Sequence, residues 1–132
     1  MNTAEDILKG KTVLIADDDP RNTFALVSYL ENSGLIVLAV EDGYEAIKIL
    51  DRNNDIDIIL MDMMMPGMDG YETIQKIKGA STVSHIPVIA VTAKAMKGDR
   101  ERCLEAGASE YVSKPVNLKE LFDKMAVLLR PV

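Results

Sequence analysis

The stretch that decides the fold reads Ile58-Ile59-Leu60-Met61-Asp62-Met63-Met64-Met65-Pro66-Gly67-Met68-Asp69-Gly70. Its apolar residues lead directly into Asp62, and a Pro-Gly turn follows shortly after. A short apolar run bounded by turn residues is typical of a strand buried on both faces of a parallel sheet. Asp62 then lies at the carboxyl end of that strand, the edge at which open α/β sheets bind ligands. A carboxylate there is a helix cap, a metal ligand or a nucleophile, and the rest of the chain decides among these.

The composition indicates one acidic domain with an aliphatic core. The chain has 132 residues, of which 48% are hydrophobic and only 5% aromatic. The net charge of −6 argues against nucleic-acid binding, which needs clustered Lys and Arg. Cys103 is the only cysteine, which excludes an internal disulfide and favours a reducing compartment. No apolar run approaches the roughly 18–20 residues of a membrane span, so we expect a cytoplasmic protein without membrane insertion.

Apolar strands alternate with helices along the chain. Strands are predicted at 12–16, 35–40, 57–61, 86–91 and 110–113, and helices at 20–33, 44–52, 70–78, 97–106 and 117–129. The predicted N-caps are Asp19, Asp69 and Asn117. In the first of these helices Phe24, Val27 and Leu30 recur at helical spacing. This alternation predicts an α/β fold in which parallel strands are joined by right-handed crossovers, with helices on both faces.

Residues 1–11 are interpreted as an N-terminal extension or linker, with a short helical turn at Ile7 and Leu8. Residues 12–130 form the predicted domain, without internal repeats or a second domain.

The polar side chains after four of the five predicted strands are candidates for one site. They are Asp17 and Asp18 after the first strand, Asp62 after the third, Thr92 after the fourth and Lys114 after the fifth. Because the carboxyl ends of parallel strands share one edge, we expect these side chains to converge on one crevice. Glu41 and Asp42 follow the second strand, and their distance from the crevice depends on the strand order.

Such a cluster suits phosphoryl transfer. Three neighbouring carboxylates repel one another, and hard oxygen ligands with room for water favour Mg²⁺. Lys114 can neutralise a phosphate oxygen, and Thr92 can donate a hydrogen bond to another. Asp62 is the candidate nucleophile because it stands alone at the tip of the central strand. Each of these residues, taken singly, has an ordinary structural explanation. The inference of phosphoryl transfer therefore rests on their convergence at one edge of the sheet.

Four pieces of the chain resemble the receiver domain of two-component response regulators, over about residues 12 to 130. They are Val13-Leu14-Ile15-Ala16-Asp17-Asp18-Asp19, the stretch from Met61 to Gly70, Thr92-Ala93 and Tyr111-Val112-Ser113-Lys114-Pro115. The longer strings 17–22 and 92–100 look most like receivers of hybrid sensor histidine kinases. The resemblance implies a flavodoxin-like (βα)5 three-layer sandwich, a five-stranded parallel sheet of order 2-1-3-4-5 and a cis Lys114–Pro115 bond.

The resemblance also implies a bacterial phosphorelay function. Asp62 would accept a phosphoryl group from a histidine kinase or a histidine phosphotransfer protein. Asp18 would bind Mg²⁺ (or Mn²⁺) directly, and Asp17 partly through water. Asp62 and the backbone carbonyl of Met64 would complete the metal site.

Thr92 and Lys114 would contact the phosphoryl group, and Tyr111 would turn inward as Thr92 moves. The output would change on the face formed by the helix at 97–106, the strand at 110–113 and the helix at 117–129. Such a domain is not a classical enzyme, since it catalyses only its own phosphorylation and dephosphorylation. Two variable positions of the family, here Met64 and Lys94, are linked to the lifetime of the phosphoaspartate. Met64 offers no acceptor for an attacking water, so we expect slow self-dephosphorylation.

Other functions fit less well. An aspartate-nucleophile phosphatase needs a second carboxylate two residues after the nucleophile, where this chain has Met64. A nucleotide- or flavin-binding domain needs a glycine-rich cradle instead of Asp17-Asp18-Asp19-Pro20. A pseudo-receiver acting only as a protein-interaction module is the main alternative, although the acidic residues and the lysine are all retained. The only histidine, His85, is expected at the surface.

The sequence leaves the partners open. We expect no direct DNA binding, because the chain stops after the last helix. It is either a stand-alone regulator, which its first and last residues weakly favour, or the receiver of a hybrid kinase. The sequence identifies neither the downstream protein nor whether phosphorylation makes the domain dimerise.

Overall fold

The computed structural model describes residues 3–53, 55–93 and 98–131, and it shows one parallel sheet between two layers of helices. The strands are β1 (Thr12–Ala16), β2 (Ile36–Val40), β3 (Ile58–Asp62), β4 (Val88–Thr92) and β5 (Glu110–Ser113). The helices are α1 (Ala4–Leu8), α2 (Pro20–Asn32), α3 (Gly43–Arg52), α4 (Gly70–Lys78), α5 (Asp99–Ala106) and α6 (Leu118–Leu129). All neighbouring strands pair in parallel in the order β2-β1-β3-β4-β5, so the predicted topology is confirmed.

The continuous apolar runs of the central strands reflect burial on both faces. Every residue of β1, β3 and β4 is buried. Because successive side chains of a strand point to opposite faces, Ile59 and Met61 pack with α3, α4 and α5, while Ile58 and Leu60 pack with α1, α2 and α6. Among the described residues, no helix has both the length and the apolar character needed to cross a membrane.

The predicted N-caps at Asp19, Asp69 and Asn117 are confirmed. Each side chain accepts a hydrogen bond from a backbone N–H in the first turn of its helix. These caps fix helix starts close to the carboxyl ends of the strands, where a ligand would bind. The Lys114–Pro115 bond is cis, as the resemblance implies.

Strand ends differ slightly from the prediction. β3 and β4 each run one residue further than expected, so Asp62 and Thr92 are the last residues of their strands. The predicted start of α5 at Lys97, and Lys94 before it, lie outside the described residues.

The N-terminal segment is more ordered than a single turn. Thr3 and Asp6 form a capping box at the start of α1, and Ile7 and Leu8 are buried in the cluster that includes α6. The division between an extension at 1–11 and a domain at 12–130 stays a proposal.

The residues that recur at helical spacing in α2 do not share one buried face. Phe24 is 75% exposed, whereas Leu30 and Leu26, which is not part of that repeat, are buried. At 3.6 residues per turn, Phe24 lies roughly 200° around the helix from Leu26, so the two side chains cannot share one buried face.

Candidate functional site

The strand order brings the predicted site residues to one edge of the sheet. Asp17 follows β1, Asp62 ends β3 and Lys114 follows β5. The Lys114 Nζ lies 3.7 Å from the Asp17 Oδ2 and 3.5 Å from the Asp62 Oδ2. Both carboxylates are buried, while the lysine side chain retains some contact with solvent. One ammonium therefore serves two carboxylates that would otherwise repel each other in a poorly hydrated position.

Three carboxylates could hold a cation together. One oxygen from each of Asp17, Asp18 and Asp62 lies within 4.8 Å of the other two. Asp18 is exposed and the other two are buried, so the cluster is open to water on one side. Hard oxygen donors with an open side match the preference of Mg²⁺, which keeps several waters. The residues present thus fit a magnesium ion.

Glu41 and Asp42 do not join this cluster. The Asp42 Oδ1 accepts a hydrogen bond from the Glu45 N–H at 2.8 Å, which makes Asp42 the N-cap of α3. Glu41 is exposed at the end of β2, the edge strand. β2 lies directly beside β1, so Glu41 follows the strand next to the one that leads to Asp17, but the three-carboxylate cluster is formed by Asp17, Asp18 and Asp62 without it.

Asp17 is held by two further donors. Its Oδ1 accepts from the Asp19 N–H at 2.8 Å, and its Oδ2 accepts from the side-chain amide of Asn22. Asn22 has no role in the sequence analysis beyond its place in a string typical of receivers. Its position early in α2, one turn after the cap, is the only sequence signal that would indicate this contact.

The loop after β3 fixes Asp62 from its own backbone. The Met64 N–H donates to the Asp62 Oδ1 at 3.0 Å. A Cβ on Gly70 would lie 2.6 Å from the backbone oxygen of Asp62, so only glycine lets the start of α4 approach the end of β3 this closely. The Met64 side chain is 69% exposed beside the site, while the role of its carbonyl as a metal ligand stays a prediction.

Thr92 makes a contact that the sequence analysis did not anticipate. Its buried Oγ1 donates to the Asp99 Oδ2 at 2.9 Å, and the Tyr71 hydroxyl donates to the Asp99 Oδ1 at 3.1 Å. The guanidinium carbon of Arg102 lies 4.3 Å from the centroid of the Tyr71 ring. Tyr111 is half-buried in β5 opposite Ala90 and packs against the core, and its switching role stays a prediction.

Comparison with known proteins assigns the family. Residues 13–126 match the response regulator receiver domain. The chain belongs to this family. It is 39% identical over 115 residues to the sensor histidine kinase RcsC of Salmonella typhi, but spans only 12% of that protein. It is 38% identical over 113 residues to the polar-differentiation response regulator DivK of Brucella ovis, covering 86% of this chain and 91% of DivK.

A solved structure is similar over nearly the whole receiver domain. It is the receiver domain of a sensor histidine kinase from Pseudomonas aeruginosa, with a magnesium ion coordinated in its active-site cleft. The sequence identity is 34%, the TM-score is 0.85, and the match covers 92% of this chain and 99% of that one. The flavodoxin-like fold and the receiver assignment made from the sequence are both confirmed.

Burial makes the Asp62 carboxylate of the receiver domain costly to ionise. Burial is the largest cause that raises its pKa, and the Asp17 charge adds to it. The Met64 N–H and the Lys114 charge act in the opposite direction, and the net result is a pKa raised from 3.8 to about 6. The folded receiver domain therefore binds this proton more tightly than the unfolded chain does.

This shift predicts that Asp62→Asn stabilises the metal-free receiver domain in a pH-dependent way. As pH rises from about 4 to about 6, the unfolded chain loses the Asp62 proton before the folded domain does, so the wild type loses stability. We expect the substitution to raise the free energy of unfolding by about 3 kcal/mol at pH 8 and by about half of that at pH 5.

Urea denaturation with a chelator present measures both values. Asp51→Asn, at an exposed position of α3, serves as the matched control for the removal of a surface carboxylate. An equal gain from Asp62→Asn at both pH values would contradict the raised pKa.

Proposed function

We propose that Asp62 of this receiver domain accepts a phosphoryl group from a phosphohistidine on a histidine kinase or a histidine phosphotransfer protein. One observation carries the proposal. The buried Asp62 carboxylate shares the Lys114 ammonium with Asp17 and lies within reach of a cation held by Asp17 and Asp18. Such an arrangement supplies charge neutralisation and positioning, which provide most of the catalysis in phosphoryl transfer.

The transfer is a single displacement at phosphorus. An Asp62 oxygen attacks the phosphorus, a P–O bond forms and the P–N bond of the phosphohistidine breaks. The imidazole nitrogen takes the electron pair. Lys114 neutralises one phosphoryl oxygen, and the Thr92 hydroxyl donates to another after it reorients.

Asp17, Asp18, Asp62 and the Met64 carbonyl would hold Mg²⁺ (or Mn²⁺) beside the acceptor. When bound, the cation offsets negative charge on the phosphoryl oxygens. The domain would catalyse its own phosphorylation and dephosphorylation and no other reaction.

The output would appear on the face formed by α5, β5 and α6. Thr92 ends β4, and its neighbour strand β5 carries Tyr111, so movement at the site would reach this face through adjacent strands. We propose that a downstream protein binds that face, in a cytoplasmic phosphorelay without direct DNA binding. The relatives include both a long sensor kinase and a short response regulator, and either context suits this proposal.

Intact-mass spectrometry after incubation with acetyl phosphate and Mg²⁺ tests the proposal. We expect one added phosphoryl group in the wild type and none in Asp62→Asn or with a chelator present. Asp69→Asn is the matched control, since Asp69 lies on the same loop but only caps α4. Retention of the adduct in Asp62→Asn would refute the assignment of the acceptor. A folded wild type that gains no adduct would favour the pseudo-receiver interpretation.

The exposed Met64 side chain predicts a long-lived phosphoaspartate. Its thioether cannot position a water molecule for attack as an amide can, so Met64→Asn should shorten the half-life of the adduct several-fold. The measurement is loss of the added mass after removal of acetyl phosphate, with Met64→Leu as the apolar control. A half-life that Met64→Asn leaves unchanged would count against this explanation. Lys94, the second position linked to lifetime, lies outside the described residues.

A further inference from the structure

Asp99 connects three elements beside the proposed phosphorylation site. It is the first residue of α5, and its carboxylate accepts from Thr92 at the end of β4 and from Tyr71 in α4. Its two oxygens have separate partners, with Oδ2 bonded to Thr92 and Oδ1 to Tyr71. Asp99 and Tyr71 are not among the site residues predicted from the sequence, and the proposed chemistry at Asp62 does not use them.

A threonine hydroxyl carries one hydrogen, so it makes one strong donation at a time. In this structure the Thr92 hydroxyl donates to Asp99 at 2.9 Å. A donation to a phosphoryl oxygen on Asp62 therefore requires that the Thr92–Asp99 bond be broken first. The carboxylate of Asp99 and the phosphoryl group are two anionic acceptors that compete for the same donor.

We propose that Asp99 is a positioning residue that holds the Thr92 hydroxyl in an orientation unable to donate to a phosphoryl group on Asp62. The proposal rests on the proposed function, since it needs Asp62 as the acceptor. Asp99 thereby favours the unphosphorylated arrangement, and phosphorylation releases the start of α5 from β4. A contact made in only one of two states shifts the equilibrium by its own free energy.

The surroundings of Asp99 allow this bond to break and re-form. The carboxylate is half-buried, and a cavity of about 300 Å³ lies beside it, lined by Met64, Thr92, Tyr71 and Arg102 among others. Water entering from this side can replace the Thr92 hydroxyl as a donor, which keeps the cost of separation moderate. The Tyr71 hydroxyl and the Arg102 guanidinium on its ring remain to hold the start of α5 on α4.

The hydrogen bond between Thr92 and Asp99 also affects how the N-terminus of α5 is held. The N-cap of α5 is Gly98, which provides no side-chain hydrogen bond. The described side-chain contacts at the start of α5 are those of Asp99 with Thr92 and Tyr71 and that of Arg102 with the Tyr71 ring, so only the Thr92 bond connects this turn to β4. Loss of the Thr92 bond would loosen α5 relative to β4, at the end of the helix that faces the site.

Affinity for beryllofluoride, a phosphoryl analogue, tests the proposal in the full chain. Fluorine NMR in the presence of Mg²⁺ follows binding to the wild type and to Asp99→Ala. We expect Asp99→Ala to bind beryllofluoride about tenfold more tightly, the effect of removing one hydrogen bond that competes for Thr92. The Mg²⁺ affinity without beryllofluoride should not change, because Asp99 lies outside the carboxylate cluster.

A double-mutant cycle separates positioning from a structural effect. In a Thr92→Val background the Asp99→Ala substitution should leave beryllofluoride affinity unchanged, since no hydroxyl remains to be released. Asp99→Asn keeps an oxygen acceptor without the charge and should give an intermediate affinity. It also serves as the second variant if Asp99→Ala fails to fold. Glu101→Ala removes another acidic residue from the first turn of α5 and should have no effect.

The outcomes are distinct. Two results would overturn the positioning role and leave the proposed function standing. One is unchanged or weaker binding of beryllofluoride by Asp99→Ala and Asp99→Asn. The other is an equal gain from Asp99→Ala in the Thr92→Val background. A folded wild type that binds no beryllofluoride would overturn both. Tighter binding that depends on Thr92, with Mg²⁺ affinity unchanged, would support the proposal.

Discussion

The structure of the site depends on one ammonium placed between two buried carboxylates. The Lys114 Nζ lies within 4 Å of both Asp17 and Asp62, which follow or end neighbouring strands. Two ionised carboxylates with little solvent contact repel each other, and their ionisation is costly without a nearby positive charge. The parallel sheet enforces the arrangement, because the carboxyl ends of β1, β3 and β5 share one edge. A cation held with Asp18 would offset the remaining negative charge.

The backbone around Asp62 limits where its carboxylate can be. The Met64 N–H holds one oxygen, and the close approach at Gly70 fixes the loop against the end of β3. Asp69 then caps α4 immediately after the loop. A fixed nucleophile loses little freedom when it reacts, which is what a reaction driven by positioning requires. The rigid side of the site is thus formed by β3, and the side that can rearrange is formed by Thr92 and Asp99.

Much of the fold could be predicted because it depends on local signals. Apolar runs identified the central strands, and Asp19, Asp69 and Asn117 marked the helix starts. The convergence of the site residues followed from the parallel sheet alone. The strand order came from the resemblance, since the position of β2 at an edge depends on crossovers that periodicity does not specify.

The errors and omissions share one physical cause, which is contact between distant elements. The recurrence of Phe24, Val27 and Leu30 at helical spacing did not indicate that Leu26 is buried and Phe24 exposed. The burial of Leu8 depends on the neighbouring α6, and the bonds of Asp99 depend on how α5 sits against α4 and β4. A sequence pattern indicates which face of an element is apolar, but it does not name the partner across the interface.

The most direct test of the account is a titration of the wild type with Mg²⁺ followed by amide NMR. We expect saturable shifts concentrated at residues 17–18, 62–64 and 114, and their loss in Asp18→Asn. Shifts that never saturate, or that spread evenly over the acidic surface, would contradict a cation site formed by Asp17, Asp18 and Asp62.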